Sequence, residues 1–113
     1  MHDIHAQLRF LPLSAQKVRL VVDLVRGKSA NEALELLRFA NKRAALPVGK
    51  LVASAVANAE ENFGVSRDDL YVATIFADEA PTRKWRRFGA RGRFKPILRR
   101  TSHVTVILRE RGA

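Results

Sequence analysis

Residues 82–100, TRKWRRFGARGRFKPILRR, hold nine Lys or Arg and no acid, with Trp85, Phe88 and Phe94 set among the charges. The cations are Arg83, Lys84, Arg86, Arg87, Arg91, Arg93, Lys95, Arg99 and Arg100. A guanidinium can donate two parallel hydrogen bonds to a phosphate, and a planar ring can stack on a splayed base. The mixture therefore suits RNA in particular. If six to ten phosphates are met, affinity falls roughly a thousand-fold or more between about 50 and about 200 mM salt. Other chemistry has weaker support. His2, Asp3 and His5 offer three weak metal ligands with no fourth. The acid pairs Asp68-Asp69 and Asp78-Glu79 resemble a nuclease's carboxylates, but turn chemistry and charge balance explain them more simply. Ser102 and His103 are neighbours whose side chains a strand sends to opposite faces, so they do not form a nucleophile–base pair. His103 then reads as a polar rim residue or as an RNA contact. No phosphate-cradling or dinucleotide-binding fingerprint is present. No catalytic residue, cofactor or metal is expected.

The charge is segregated. Residues 1–79 carry ten Lys/Arg and ten Asp/Glu, whereas residues 80–113 carry eleven Lys/Arg and only Glu110, which accounts for the whole net charge of +10. A charge needed only for solubility would be interspersed. A segregated one points to a polyanion, either nucleic acid or an acidic membrane surface. The 113 residues make one domain, long enough to bury about 65% of the unfolded surface without staples. Cysteine is absent, which fits a reducing compartment. The sequence shows neither a signal peptide nor an apolar run long enough to cross a membrane, so the expected location is the cytoplasm.

The elements that must position the basic segment follow from periodicity. Ile4, Ala6, Leu8 and Phe10 alternate with His5, Gln7 and Arg9, which predicts a half-buried strand ended by Pro12. Ser14 caps a helix over 15–26, with Val18, Val21, Val22 and Val25 as its apolar face and Gly27 as its C-cap. Ser29 and Glu32 form a capping box for a second helix carrying Ala30, Ala33, Leu34 and Leu37. A third helix is predicted over about 42–63, with Val48, Leu51, Val52, Ala55, Val56 and Ala59 inward and Gly64 as its stop. Pro47 would lie inside that helix, which either kinks there or becomes regular only after it. LYVATIFAD, from residue 70, is strand-like but too continuously apolar to assign one buried face. Val104, Val106 and Leu108 alternate with His103, Thr105, Ile107 and Arg109 in a last strand. The expected fold class is α+β: three helices on a small antiparallel sheet with a protruding basic β-hairpin. The body is 1–79 with 101–113, and the arm is about 80–100, reaching roughly 30 Å at about 3.3 Å per residue. Such a two-stranded ribbon is marginal alone and self-repelling, so it is expected to be mobile when free and to gain order on its anionic partner.

Three stretches, LSAQKVRLVVDLVRGKS (13–29), NKRAALPVGKLVASAVANAE (41–60) and ARGRFKPILRRTSHVTVIL (90–108), resemble the L-twenty-two family of large-subunit ribosomal proteins in its bacterial form. The resemblance covers nearly the whole chain. It implies a structural rRNA-binding protein, not an enzyme, whose body lies near the exit of the nascent-peptide tunnel and whose hairpin threads rRNA to the tunnel wall. It also implies bridging of several rRNA domains during assembly, contact with neighbouring ribosomal proteins, and a tip near the nascent peptide and bound macrolides. Position by position, it assigns RNA contacts to Ser14, Lys17, Arg19, Arg26 and Lys28. It assigns them also to Lys84, Arg91, Gly92, Arg93, Arg99, Arg100, Thr101, Ser102 and His103. The rest of the arm, Arg83, Trp85, Arg86, Arg87, Phe94 and Lys95, joins that set on chemistry, although Trp85 and Phe94 read equally as rings packed within the hairpin. The sequence departs from the usual family pattern at Phe88, Gly89, Phe94 and Pro96 in the arm, and at Pro47. Two rivals remain at this level. One is a dimeric DNA-bending protein with basic β-arms. The other is an RNA-modifying enzyme, for which no candidate residue stands out. A free monomer that prefers folded rRNA separates the favoured reading from the first rival.

Overall fold

A computed structural model of the chain describes residues 3–80, 83–88 and 94–111. The elements run β1 (Asp3–Leu11), α1 (Ala15–Val25), α2 (Ala30–Phe39), α3 (Ala45–Phe63), a 3-10 turn (Arg67–Asp69), β2 (Leu70–Glu79), β3 (Arg83–Phe88), β4 (Phe94–Arg99) and β5 (Ser102–Glu110). β5 is the centre of an antiparallel sheet in the order β1-β5-β2, and β3 pairs with β4 in a separate two-stranded ribbon. The fold is α+β, with three helices packed against a small antiparallel sheet. Its core joins Val18, Val21, Val22 and Val25 of α1 and Val48, Val52 and Val56 of α3 to Ile4, Leu70, Val72, Ile75, Val104, Val106 and Leu108 of the sheet.

β-branched valines are indifferent helix formers, so α1 is held mainly by burial of that stripe and by its cap. Ser14 Oγ accepts the Lys17 N–H at 3.4 Å. The helix ends at Val25, where Arg26 (φ −61, ψ 126) and Gly27 (φ +79) occupy the centre of a turn closed by Lys28 N–H to Val25 C=O at 3.1 Å. These angles fit a type II turn, whose third residue needs positive φ. Gly27 is therefore a turn residue, not the expected helix C-cap. Its N–H bonds the Val72 carbonyl at 3.0 Å while the Lys28 carbonyl accepts from Val72 N–H at 2.8 Å, so the turn is tied to β2. α2 starts as expected, with Ser29 Oγ accepting the Glu32 N–H at 3.3 Å.

α3 decides between the two expectations for Pro47 in favour of a helix that becomes regular after it. The helix begins at Ala45, not near 42, and its first helical bond is Val48 N–H to Ala44 C=O at 3.1 Å. Pro47 thus falls in the first turn, where an amide has no intrahelical partner and the ring meets no preceding helical carbonyl. No kink is required. At the other end Gly64 takes φ +65 and Val65 N–H reaches back to Ala59 C=O at 3.2 Å, the closing bond of a left-handed helix stop.

Two bulges rearrange the flanking strands. In β2, Val72 pairs Leu108 and Thr74 pairs Ile107, leaving Ala73 as an extra residue. The inward set is Leu70 and Val72 before the bulge and Ile75 and Ala77 after it. In β1, Leu8 pairs Val104 and Leu11 pairs Ser102, so Arg9 and Phe10 together oppose His103. Phe10 was expected on the apolar face. It instead adopts φ +57 and is half exposed, and Leu11 is buried one position later. A bulge inverts the inside–outside parity of every residue beyond it.

The β2–β5 ladder runs past Glu79 opposite Ser102 to Ala80 N–H bonding Thr101 C=O at 3.0 Å. It resumes in β3–β4 with Arg83 opposite Arg99, one residue out of step. Pro81 at this junction has no N–H to give a ladder. The molecule measures 65 × 25 × 18 Å with a radius of gyration of 17.2 Å. A compact chain of this length would have about 13 Å, and the excess marks the projecting ribbon.

Candidate RNA interface

The ribbon places its residues by register. Arg83 lies opposite Arg99, Lys84 opposite Leu98, Trp85 opposite Ile97, Arg86 opposite Pro96, Arg87 opposite Lys95 and Phe88 opposite Phe94. Two of the six pairings are cation on cation, which free strands disfavour and a polyanion would relieve. The hydrophobic helices that cover β2 and β5 have no counterpart among the described residues beside β3 and β4. Arg91, Gly92 and Arg93 lie outside the described residues, as do the side chains of the ribbon strands.

At the ribbon's root the fold gathers three cations that are far apart in sequence. Pro12, Leu13, Ser14, Gln16, Lys17, Arg43 and Arg100 line an open groove of about 550 Å³. Its charged residues are Lys17, Arg43 and Arg100, all exposed, and the first turn of α1 holds no acid. The partial positive end of α1 faces the same groove through its cap residue Ser14, so helix and side chains carry the same sign there. Lys17 comes from α1, Arg100 from the descending limb of the hairpin and Arg43 from the turn before α3. Arg43 was not singled out from the sequence. Nothing local marks it, because only tertiary packing brings the turn before α3 to this place.

Other residues expected to meet RNA have partners within the chain. Arg19 Nε donates to the Ala77 carbonyl at 3.2 Å. Arg26 donates through Nη2 and Nε to the Ile75 carbonyl at 2.8 and 3.3 Å and through Nη1 to Asp23 at 2.6 Å. β2 is an edge strand, and these guanidiniums cover carbonyls that no further strand pairs. Lys28 is exposed beside the turn that abuts Val72. Ser102 is wholly buried and its hydroxyl has no partner, like the buried Thr101 hydroxyl next to it. In this conformation Ser102 has no surface to offer a ligand. Its side chain shares the inward face of β5 with Val104, Val106 and Leu108.

His103 points the other way, as strand geometry requires. Its Nδ1 accepts the Phe10 N–H at 3.1 Å, and the two rings meet edge to face with centroids 4.7 Å apart. An accepting Nδ1 puts the proton of the neutral ring on Nε2. Asp3 is engaged by Arg109, whose Nε and Nη2 reach its carboxylate at 2.7 and 3.3 Å. That hydrogen bond holds the Asp3 carboxyl below the usual carboxylate range and raises Arg109.

A helix-backed antiparallel sheet extends a ribbon of basic sequence from an acid-free groove of three cations, an arrangement of the kind that docks on nucleic acid. The family model described as ribosomal protein L22p/L17e matches residues 6–109, and the chain belongs to that family. It is accordingly a structural, non-enzymatic constituent of the large ribosomal subunit, with rRNA and other ribosomal proteins as its partners.

Proposed function

We propose that the body docks on large-subunit rRNA through the groove of Lys17, Arg43 and Arg100, and that the ribbon continues this contact outward, bridging rRNA segments distant in sequence. One observation carries the reading: the three groove cations stand where the ribbon leaves the body, with Arg100 following directly on the basic sequence of β4. Ser14 is the cap that orients the α1 end of this groove. Thr101 lies beside it with Ser14 and Arg100. Lys28 at the far end of α1 and His103 on the outer face of β5 are separate contacts, and Arg19 and Arg26 act first by holding α1 on β2. Ser102 makes RNA contact only if the root of the arm rearranges. On this reading the segment between β3 and β4, residues 89–93, lines the peptide tunnel near the nascent chain and bound macrolides, as the resemblance to the family implies. The protein works as a monomer in the cytoplasm until assembly. No helix among the described residues is long and apolar enough to cross a membrane.

The test is binding of the purified full chain to large-subunit rRNA across a salt series, with sedimentation of the free protein. Replacing Lys17, Arg43 and Arg100 by Gln is expected to flatten the slope of log affinity against log salt by about two. Deleting residues 86–93 is expected to weaken assembly while the body still unfolds cooperatively. An unchanged salt slope overturns the groove. A body that fails to fold without residues 86–93 overturns the division into body and arm. A stable dimer preferring duplex DNA overturns the assignment to rRNA.

A further inference from the structure

The opposite side of the charge balance has its own surface. Of the eight large apolar side chains exposed among the described residues, four, Leu20, Leu24, Leu36 and Phe39, lie on α1 and α2. Leu20 and Leu24 are four apart and Leu36 and Phe39 three apart, so each pair shares one helix face. Leu24, Leu36, Phe39 and Ala40 line a second open groove, of about 480 Å³, and its remaining walls are Glu32 and Glu35. Phe39 is 73% exposed, an unusual degree for a ring beside other apolar residues. Neither glutamate belongs to an ion pair among the described residues, where the paired acids are Asp23, Glu60 and Asp3. The cation beside the groove is Arg38, which is drawn over the Phe39 ring at 5.7 Å.

Two properties coincide here and nowhere else among the grooves described above: an apolar floor and an anionic rim. Phosphates would meet Glu32 and Glu35 as like charges, which is costly in a dry contact. Solvent would leave several large side chains hydrated on adjacent helices. A segment carrying lysine or arginine beside an apolar anchor satisfies both halves of the groove by charge complementarity and burial. We propose that the α1/α2 groove seats a basic segment of a neighbouring ribosomal protein, with its apolar anchor among Leu24, Leu36 and Phe39 and its cations toward Glu32 and Glu35. This rests on the ribosomal assignment and specifies which surface meets protein instead of RNA.

The experiment places p-benzoylphenylalanine at Leu36 in the full chain, assembles it into large subunits, and irradiates the purified particles. Cross-linked peptides are identified by mass spectrometry and cross-linked rRNA by primer extension. The expected product is one ribosomal-protein peptide bearing several Lys or Arg residues. Its yield is expected to fall about ten-fold or more in a Glu32→Lys/Glu35→Lys background whose incorporation into subunits is unchanged. Glu32→Gln/Glu35→Gln, which adds no like charge to the start of α2, is expected to give an intermediate loss. A cross-link to rRNA or to a second copy, the absence of any cross-link, or a yield indifferent to both double variants overturns the proposal. Failure of the otherwise unaltered chain to enter large subunits would instead overturn the ribosomal assignment beneath it.

Discussion

The inner and outer halves of the long hairpin share one backbone arrangement and have opposite means of support. In the inner half, β2 and β5 send Leu70, Val72, Ile75, Val104, Val106 and Leu108 into a core beneath the helices. In the outer half, β3 and β4 are equally antiparallel and paired, yet Arg83 meets Arg99 and Arg87 meets Lys95 across the ladder. A ladder of backbone hydrogen bonds does not by itself decide whether a ribbon is a stable element. Burial decides it for the inner half, whereas the outer half pairs cation with cation at two of its six positions. The change falls at residues 79–83, where the pairing slips by one residue.

The largest effect that separates the halves is on stability. Leu108→Ala is expected to cost about 2–5 kcal/mol by urea unfolding, whereas Leu98→Ala in the ribbon costs the free chain less than about 0.5 kcal/mol. Equal losses would show that the outer half belongs to the core. The reverse contrast appears in RNA affinity. Arg86→Gln/Arg87→Gln is expected to weaken rRNA binding on the order of ten- to a hundred-fold and reduce the salt slope by about 1.5, with the urea midpoint unchanged.

Smaller changes probe how the inner half is held. Arg26→Met removes the donors that cover the Ile75 carbonyl and is expected to cost about 1 kcal/mol. Faster amide exchange confined to β2 would locate that loss. Phe10→Asn accepts φ +57 more readily than a phenyl-bearing residue and is expected to stabilise the body by about 0.5 kcal/mol, read as a raised urea midpoint. Asp3 gives the smallest effect. Its folded carboxyl is depressed by the Arg109 hydrogen bond, so its contribution is present above the unfolded value of about pH 4 and is lost as pH falls through the folded one. Urea midpoints followed from about pH 5 to about pH 2 should therefore decline slightly less for Asp3→Asn than for the parent.

Where an apolar stripe runs unbroken, the sequence and the structure agree residue for residue. Val18, Val21, Val22 and Val25, the stripe of α3 and the alternation of β5 were all legible because burial is the only constraint acting on them. β2 could not be read, since the extra Ala73 inverts the parity halfway along and makes LYVATIFAD look apolar on both faces. The same event at Arg9 and Phe10 exchanged Phe10 for Leu11. The start of α3 was placed too early for a different reason: it is set by the turn at 42–44, which has no side-chain cap to announce it. The arm was visible from composition alone. Arg43 was not, nor was the engagement of Arg19 and Arg26 with β2, because both depend on neighbours distant along the chain.

The middle place of β5 governs the order in which this protein can fold. Among the described residues β1 and β2 do not pair with each other; each joins the sheet through β5, which follows the arm in the chain. During synthesis the basic segment therefore emerges before the strand that joins the sheet exists. The growing chain presents its cations to any nearby polyanion while the body is still open, and closing the body then draws together both ends of a segment already available for capture.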